Sequence, residues 1–266
     1  MQQITTVRRG LFSDLISAVG AYELWLFLAW QDIRLRYRRS KIGPLWITLS
    51  MAIFCFVLSV VYGKLFKVDS SEYLPFLAVG FVIWGFMSTM LGEFPTLYID
   101  NAAFIKDIRI NPLVILLRAA ARNVLILAHN ALIIIAVIMY YRIRVGFTVF
   151  LAIPGMLLVL ANLVALGVLL SISGSRFRDI GPINQSMIQV IFFVTPITWL
   201  PRLVSGDSWI LKVNPFACYL DLIRSPLLGA WPERHSWLMS VATLAVFGVS
   251  AIWIYNAKNR RIAFWV

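Results

Sequence analysis

The sequence predicts an all-α membrane protein. It has six transmembrane helices, an amphipathic interfacial helix ahead of them and two re-entrant half-helices before the last span. Three observations lead there. Of the 266 residues, 61% are hydrophobic and 14% charged, with a mean hydropathy of +0.83, a composition typical of polytopic membrane proteins. Charge-free runs recur, beginning with the 19 residues Leu45 to Gly63, and such a run as a helix crosses a hydrocarbon core of ~30 Å. The 24 Lys and Arg residues gather at the ends of these runs. The net charge of +12 therefore reads as membrane orientation and anionic headgroup contact, not as a nucleic-acid surface.

Residues 1–41 are expected to form a cytoplasmic N-terminal region, and residues 42–266 a single six-span domain. Residues 1–20 are mixed in character, and Ile4 to Asp14 lacks the apolar core of a cleavable signal. Ala21 to Tyr37 reads as a helix with Leu24, Phe27, Leu28 and Ile33 on an apolar side, joined by Trp25 and Trp30. Its polar side carries Glu23, Gln31, Asp32, Arg34 and Arg38, a pattern suited to a membrane interface. Arg34, Arg36, Arg38, Arg39 and Lys41 then fall within eight residues, and such a cluster is retained in the cytoplasm. Gly43-Pro44 marks the boundary with the first span.

The spans are expected at Leu45–Gly63, Leu74–Leu91, Leu113–Tyr141, Val145–Ile172, Ile183–Leu200 and Trp237–Tyr255. Pro154-Gly155 suggests a kink in the fourth, and Pro196 interrupts the fifth. Tyr98 to Pro112 is a polar inner segment. Pro201 to His235 is too apolar for a solvated loop and too broken by proline for a full crossing. Two half-helices dipping into the outer leaflet fit it, with Asn214-Pro215 near their junction and Asp221 paired to Arg224 three residues on. Inner segments hold Arg8, Arg9, the five cations of the cluster, Lys106, Arg109, Arg118, Arg122, Arg176, Arg178, Lys258, Arg260 and Arg261. That is sixteen of the 24 Lys and Arg, a two-to-one bias over the eight in outer segments that places both termini in the cytoplasm, with Arg142 and Arg144 among the outer eight.

The chain has no P-loop, so it does not cradle a nucleotide itself. It has no HExxH, CxxC or GxSxG, and Cys55 and Cys218 are isolated. No metal site and no catalytic residue is expected. His129 beside Asn130 fits an interhelical hydrogen bond better than a proton relay. Arg118 and Arg122 lie one turn apart on one helix face. Two readings stay open for them: a structural role, snorkelling or pairing with Glu93, or the lining of a vestibule for an anionic substrate. The aromatic residues in the spans are packing or interface belt, with a subset offering stacking surfaces to sugar rings.

Four stretches carry a resemblance: DIRLRYRRSKIGPLW at Asp32–Trp46, F-L-x-x-G-x-x-x-W at Phe76–Trp84, RFRDIGPINQ at Arg176–Gln185 and NPFACYLDLIRSPLLG at Asn214–Gly229. In this order and spacing the chain resembles the membrane permease subunit of ABC-2-type polysaccharide exporters. These proteins have the type V exporter fold and move O-antigen, capsule or teichoic acid. The resemblance implies an inner-membrane homodimer docked to two separate ATPase subunits that carry the ATP-Mg, with the pore between the two permeases. It implies ATPase contacts at the interfacial helix with Arg34 and at Asp100, Lys106, Asp107 and Arg109. It implies a path for a lipid-linked polysaccharide past Trp46, Phe54, Tyr62, Phe192 and Phe193, with Arg118 and Arg122 at its inner end. Trp209, Phe216, Tyr219, Asp221 and Arg224 would form the outer gate. A permease of this kind is a transport subunit and not an enzyme. The same motifs serve ABC-2 exporters of small drugs or lipids, which is the alternative. A membrane-embedded glycosyl- or acyltransferase fits less well, since the inner-side acids Glu93, Asp100, Asp107 and Asp179 are spread over three segments.

Overall fold

The computed structural model describes residues 10–36, 38, 45–201 and 209–266, and all the regular structure among them is helical. Gly43-Pro44, the cations Arg39 and Lys41, and Arg202 lie outside the described residues. Five helices, each extending to or beyond the length of a bilayer crossing, form the body: α3 (Leu45–Phe66), α4 (Ser70–Glu93), α7 (Pro112–Tyr140), α8 (Ala152–Arg176, led in by a 3-10 turn at Phe147–Leu151) and α12 (Arg234–Lys258). Shorter helices complete it: α1 (Leu11–Gly20), α2 (Tyr22–Arg36), α5 (Leu97–Asp100), α6 (Ala102–Lys106), α9 (Ile180–Val194), α10 (Trp209–Val213), α11 (Pro215–Leu227) and α13 (Ile262–Trp265).

Helix α4 is the hub. Its most apolar stretch is 72% buried, against 11% for α3 and for α12, and it packs on α3, α7, α8, α9 and α11. A membrane helix needs no polar face, so burial follows neighbour count; α4 has protein on every side while α3 turns Leu49, Ile53, Phe56 and Val60 outward. Small residues set the closest approaches. A methyl group on Gly155 of α8 would lie 2.6 Å from the Leu222 carbonyl oxygen of α11, and one on Gly174 would clash with the Pro95 carbonyl. These two glycines let α8 touch backbone at both of its ends.

Several local expectations change. Residues 11–20, mixed in sequence, form α1, which meets α2 at a 68° bend. Helix α1, not α2, carries a one-sided apolar pattern. Helix α2 buries Ala29 and Ile33 against α7 and leaves Leu24, Leu26, Phe27 and Trp30 exposed, because one flank is clamped to protein and the rest is not. Pro154 and Gly155 make no kink: they occupy the first turn of a helix continuous to Arg176, where proline removes no hydrogen bond. His129 bonds the Leu125 carbonyl of its own helix at 2.8 Å, so its bond is not interhelical. Asp221 and Arg224 do not pair. Asp221 accepts from Ser225 Oγ (2.5 Å), the Glu233 amide (2.9 Å) and Ser236 Oγ (2.6 Å), while Arg224 turns the opposite way, toward Pro196 and Phe76.

Capping follows the sequence closely. Asn111 accepts from the Leu113 amide ahead of α7, and Asn214 from the Phe216 amide ahead of α11, each followed by a proline at the first helical position.

Candidate functional site

The C-terminal half of α4 faces α9 across an open groove of about 610 Å³, lined by Trp84, Ser88, Thr89, Gln185, Gln189 and Phe192, among others. Gln185, Gln189 and Phe192–Phe193 recur at helical spacing, so amide and aromatic groups share one face of α9. Asn184 locks the two helices by donating to the Leu91 carbonyl at 2.8 Å. Phe193 closes the groove edge and is 74% exposed. The named lining residues bear no formal charge. They combine hydrogen-bonding amides and hydroxyls with flat apolar rings, which is the chemistry that accommodates a hydroxyl-rich ring with a non-polar face.

Aromatic contacts extend the groove sideways. Phe54 of α3 meets Phe81 edge-on at 5.2 Å, Phe81 meets Phe192 at 5.8 Å, and Trp84 meets both Phe192 (5.9 Å) and Phe216 of α11 (6.2 Å). The fold thus brings Phe54, Phe192, Phe193 and Phe216 into one chain of rings. Trp46 and Tyr62 are not in it. Trp46 sits exposed in the first turn of α3, and Tyr62 stacks on Phe66 at the other end.

At the C-terminal end of α4, where it meets α2 and α7, lies a charge network. Arg118 holds Asp32 through Nε–Oδ2 (2.9 Å) and Nη2–Oδ1 (2.5 Å), a bidentate geometry. Arg122 bonds Asp32 at 2.9 Å and also pairs with Glu93. Asn123 donates to Glu93 at 3.1 Å, and Arg118 reaches Asn101 at 3.4 Å and lies over the Phe104 ring. The two guanidinium groups thus face two carboxylates. Of the two readings left open for these arginines, the geometry displays pairing with Glu93, plus a partner that sequence reasoning missed. Asp32 was visible as a lone acid two residues ahead of a run of cations, a placement that asks for a specific partner.

The polar inner segment folds into α5 and α6. Asp100, Lys106, Asp107 and Arg109 are all exposed there, together with Ile108, 63% exposed. Arg109 adopts φ +56°, reversing the chain so that the Ile110 amide returns to the Phe104 carbonyl at 2.9 Å. Arg34 is exposed on α2. On the opposite side of the molecule, Trp209 is exposed on α10, whereas Phe216, Tyr219 and Arg224 are buried. Tyr219 bonds Asn162 of α8 (2.9 Å) and Thr243 of α12 (2.7 Å), fastening α11 between them.

Residues 23–228, most of the chain and all of the groove and charge network, match the family model described as ABC-2 type transporter. The chain belongs to the ABC-2 type transporter family. Curated relatives include two O-antigen export system permease proteins RfbA from Klebsiella pneumoniae. One is 25% identical over 248 residues and the other 23% over 246, each alignment covering 91% of this chain and 94% of the relative. An O-antigen export system permease protein RfbA from Myxococcus xanthus is 23% identical over 246 residues with the same coverage. As an ABC-2 permease the chain is a multi-pass membrane transport subunit, homologous to O-antigen export permeases.

Proposed function

We propose that this permease exports a lipid-linked polysaccharide of O-antigen or capsular type across the inner membrane, driven by two copies of a separate ATPase that binds the ATP-Mg. The pore runs between two permease copies, along the α4–α9 groove and the exposed flank of α3. The observation that carries this reading is the lining of that groove, neutral amides and hydroxyls interleaved with aromatic rings, in a chain homologous to O-antigen permeases along 91% of its length. Stacking faces and weak hydrogen bonds guide a sugar chain without trapping any one unit.

The proposed topology has six crossings with both ends in the cytoplasm. In support, the Leu11 amide bonds Asn256 Oδ1 at 2.7 Å and Tyr255 donates to Asp14 at 3.0 Å, so the N-terminal helix meets the inner end of α12. Ends on one face require an even number of crossings. Five helices are long enough, and α9 at 15 residues spans only ~22 Å, so its non-helical continuation completes the sixth. Helix α11 is proposed as a re-entrant half-helix forming the outer lid. It starts beside Trp84 and Thr195 and ends where Pro226 meets Thr148, next to the outer turn. Helices α1 and α2 lie in the inner interface, and with α5–α6 they receive the ATPase.

A gene deletion tests the reading. Surface polymer should be lost while lipid-linked polymer accumulates on the cytoplasmic side. The wild-type permease should restore export only alongside an ATPase with an intact P-loop. Retained surface polymer with lost efflux of small amphiphiles would point to the drug or lipid exporters instead.

A further inference from the structure

The segment after α9 is not helical, yet several of its backbone groups find partners in the protein. Arg224 donates from Nη1 to the Pro196 carbonyl at 2.6 Å, and the Tyr73 hydroxyl donates to the Thr198 carbonyl. The Ile197 amide turns back to the Thr195 carbonyl at 2.8 Å, and Trp199 Nε1 to the Phe193 carbonyl at 3.1 Å. Asn214 Nδ2, at the start of α11, reaches Thr195 Oγ1 at 2.9 Å. Irregular backbone at membrane depth persists only where protein supplies its missing partners, and here one buried cation and one buried phenol supply two of them.

The F-L-x-x-G-x-x-x-W pattern explains how a guanidinium sits in this place. Phe76, Gly80 and Trp84 fall four residues apart on one face of α4. Phe76 lies under the Arg224 guanidinium, with the ring centroid 3.9 Å away. A methyl group on Gly80 would come to 3.4 Å from the Ile197 carbonyl oxygen and 3.6 Å from Arg224 Nη1, ordinary contact distances, so Gly80 is the point of α4 on which the guanidinium and the broken chain rest. Trp84 packs on Phe192 before the break and on Phe216 after it. The motif is thus one surface holding α9, the break and α11 together.

We infer that Arg224 and Tyr73 are the positioning residues of the outer gate, latching the Thr195–Trp199 break to α4 and α11 in the closed state. The gate part of this inference rests on the export reading above; the latch does not. Breaking a latch contact frees a carbonyl and loosens the break, so the mouth opens without ATP.

The full-length permease in proteoliposomes tests it by two readouts. The first is amide hydrogen exchange at residues 197–200, which needs no transport assay. The second is ATP-independent leak of an encapsulated neutral trisaccharide. Arg224→Met should speed local exchange by at least about 10-fold while α4 and α8 stay protected, and should raise leak, with Arg224→Lys restoring most of both. If Arg224→Met loses protection throughout the chain, Tyr73→Phe, which removes a single hydroxyl, gives the same two readouts on a folded protein. Unchanged exchange at 197–200 in a folded variant overturns the latch. Faster exchange with no leak overturns the gate role. Wild-type complex that exports no polymer would overturn the export reading alone, leaving the exchange result standing.

Discussion

Asp32 and Arg118, 86 residues apart in the chain, meet through two hydrogen bonds of 2.9 and 2.5 Å. The contact ties α2 to α7, and through Arg122 and Glu93 it extends to the C-terminal end of α4. Both side chains are about 15–17% exposed, so solvent screens the pair only in part. Asp32→Asn leaves two guanidinium groups facing one carboxylate and should cost about 2–4 kcal/mol. The combined Asp32→Asn and Arg118→Gln variant should cost less than the sum of the two, since each single change strands the other's partner. Thermal unfolding in detergent measures both; strict additivity would show that the pair is not coupled.

The exposed set Lys106, Asp107 and Arg109 makes no buried contact, so replacing all three with serine should leave insertion and thermal stability within about 0.5 kcal/mol of wild type. ATP hydrolysis by the partner should nevertheless be uncoupled from export. Co-purification with the ATPase and polymer export are the measurements, and normal values for both would remove α6 from the docking surface.

Gln185 and Gln189 give the groove its hydrogen-bonding face. Gln185→Leu with Gln189→Leu should lower polymer export several-fold, while Phe193→Leu, which keeps the apolar surface, should have a smaller effect. Surface polymer per permease, quantified by blotting, separates these outcomes. Export equal to wild type in both variants would show that the sugar does not use this face.

Asp69 caps α4 at its N-terminus. Its carboxylate accepts from Ser71 Oγ at 2.6 Å and the Ser71 amide at 2.7 Å, and these bonds hold its pKa below the ordinary 3.8. A depressed carboxylate pKa contributes stability above the unfolded value and loses it as pH falls through the folded one. Asp69→Ala should therefore lower the unfolding midpoint at around pH 6, and the difference from wild type should shrink as pH falls below the ordinary 3.8 and through the lower folded value. A difference independent of pH would mean that the cap acts without its charge.

The outer lid is open to labelling. Single cysteines at Ala230 and Trp231, both exposed, should react with an impermeant maleimide added outside. They are better probes than Gly229, whose φ of +83° and closeness to the Arg144 carbonyl strain any side chain. Labelling only from the cytoplasmic side would overturn the six-span topology.

Five of the six expected spans correspond to helices of crossing length; they were legible because a crossing segment must be both apolar and helical to satisfy its backbone, so composition and conformation carry the same signal. The break after α9 was announced by Pro196 and the start of α11 by Asn214-Pro215. Pairings across the chain were not legible. Asp221 and Arg224 have helical spacing suited to a pair, yet the Pro196 carbonyl and the Phe76 ring, both remote in sequence, claim the guanidinium. Asp32 showed its charge but not its partners. The groove face was half visible: Phe192 and Phe193 stood out as aromatics. Gln185 and Gln189, uncharged polar residues one turn apart inside an expected span, were the signal left unread.

The docking of α1 has a consequence for biogenesis. Its two anchors on α12, Leu11 to Asn256 and Asp14 to Tyr255, span 245 and 241 residues of sequence. A ribosome adding roughly 5–20 residues per second needs about 12–50 s to cover that distance. Throughout that interval α1 can rest on α7, where Asn111 Nδ2 donates to the Asp14 carbonyl at 2.8 Å, but the α12 side of its seat does not yet exist. Of the described helices α1 is first in the chain, yet it completes its contacts only once α12 is in place. A chain truncated within α12 would leave α1 held on α7 alone, with the Leu11 amide and the Asp14 carboxylate stripped of their α12 partners.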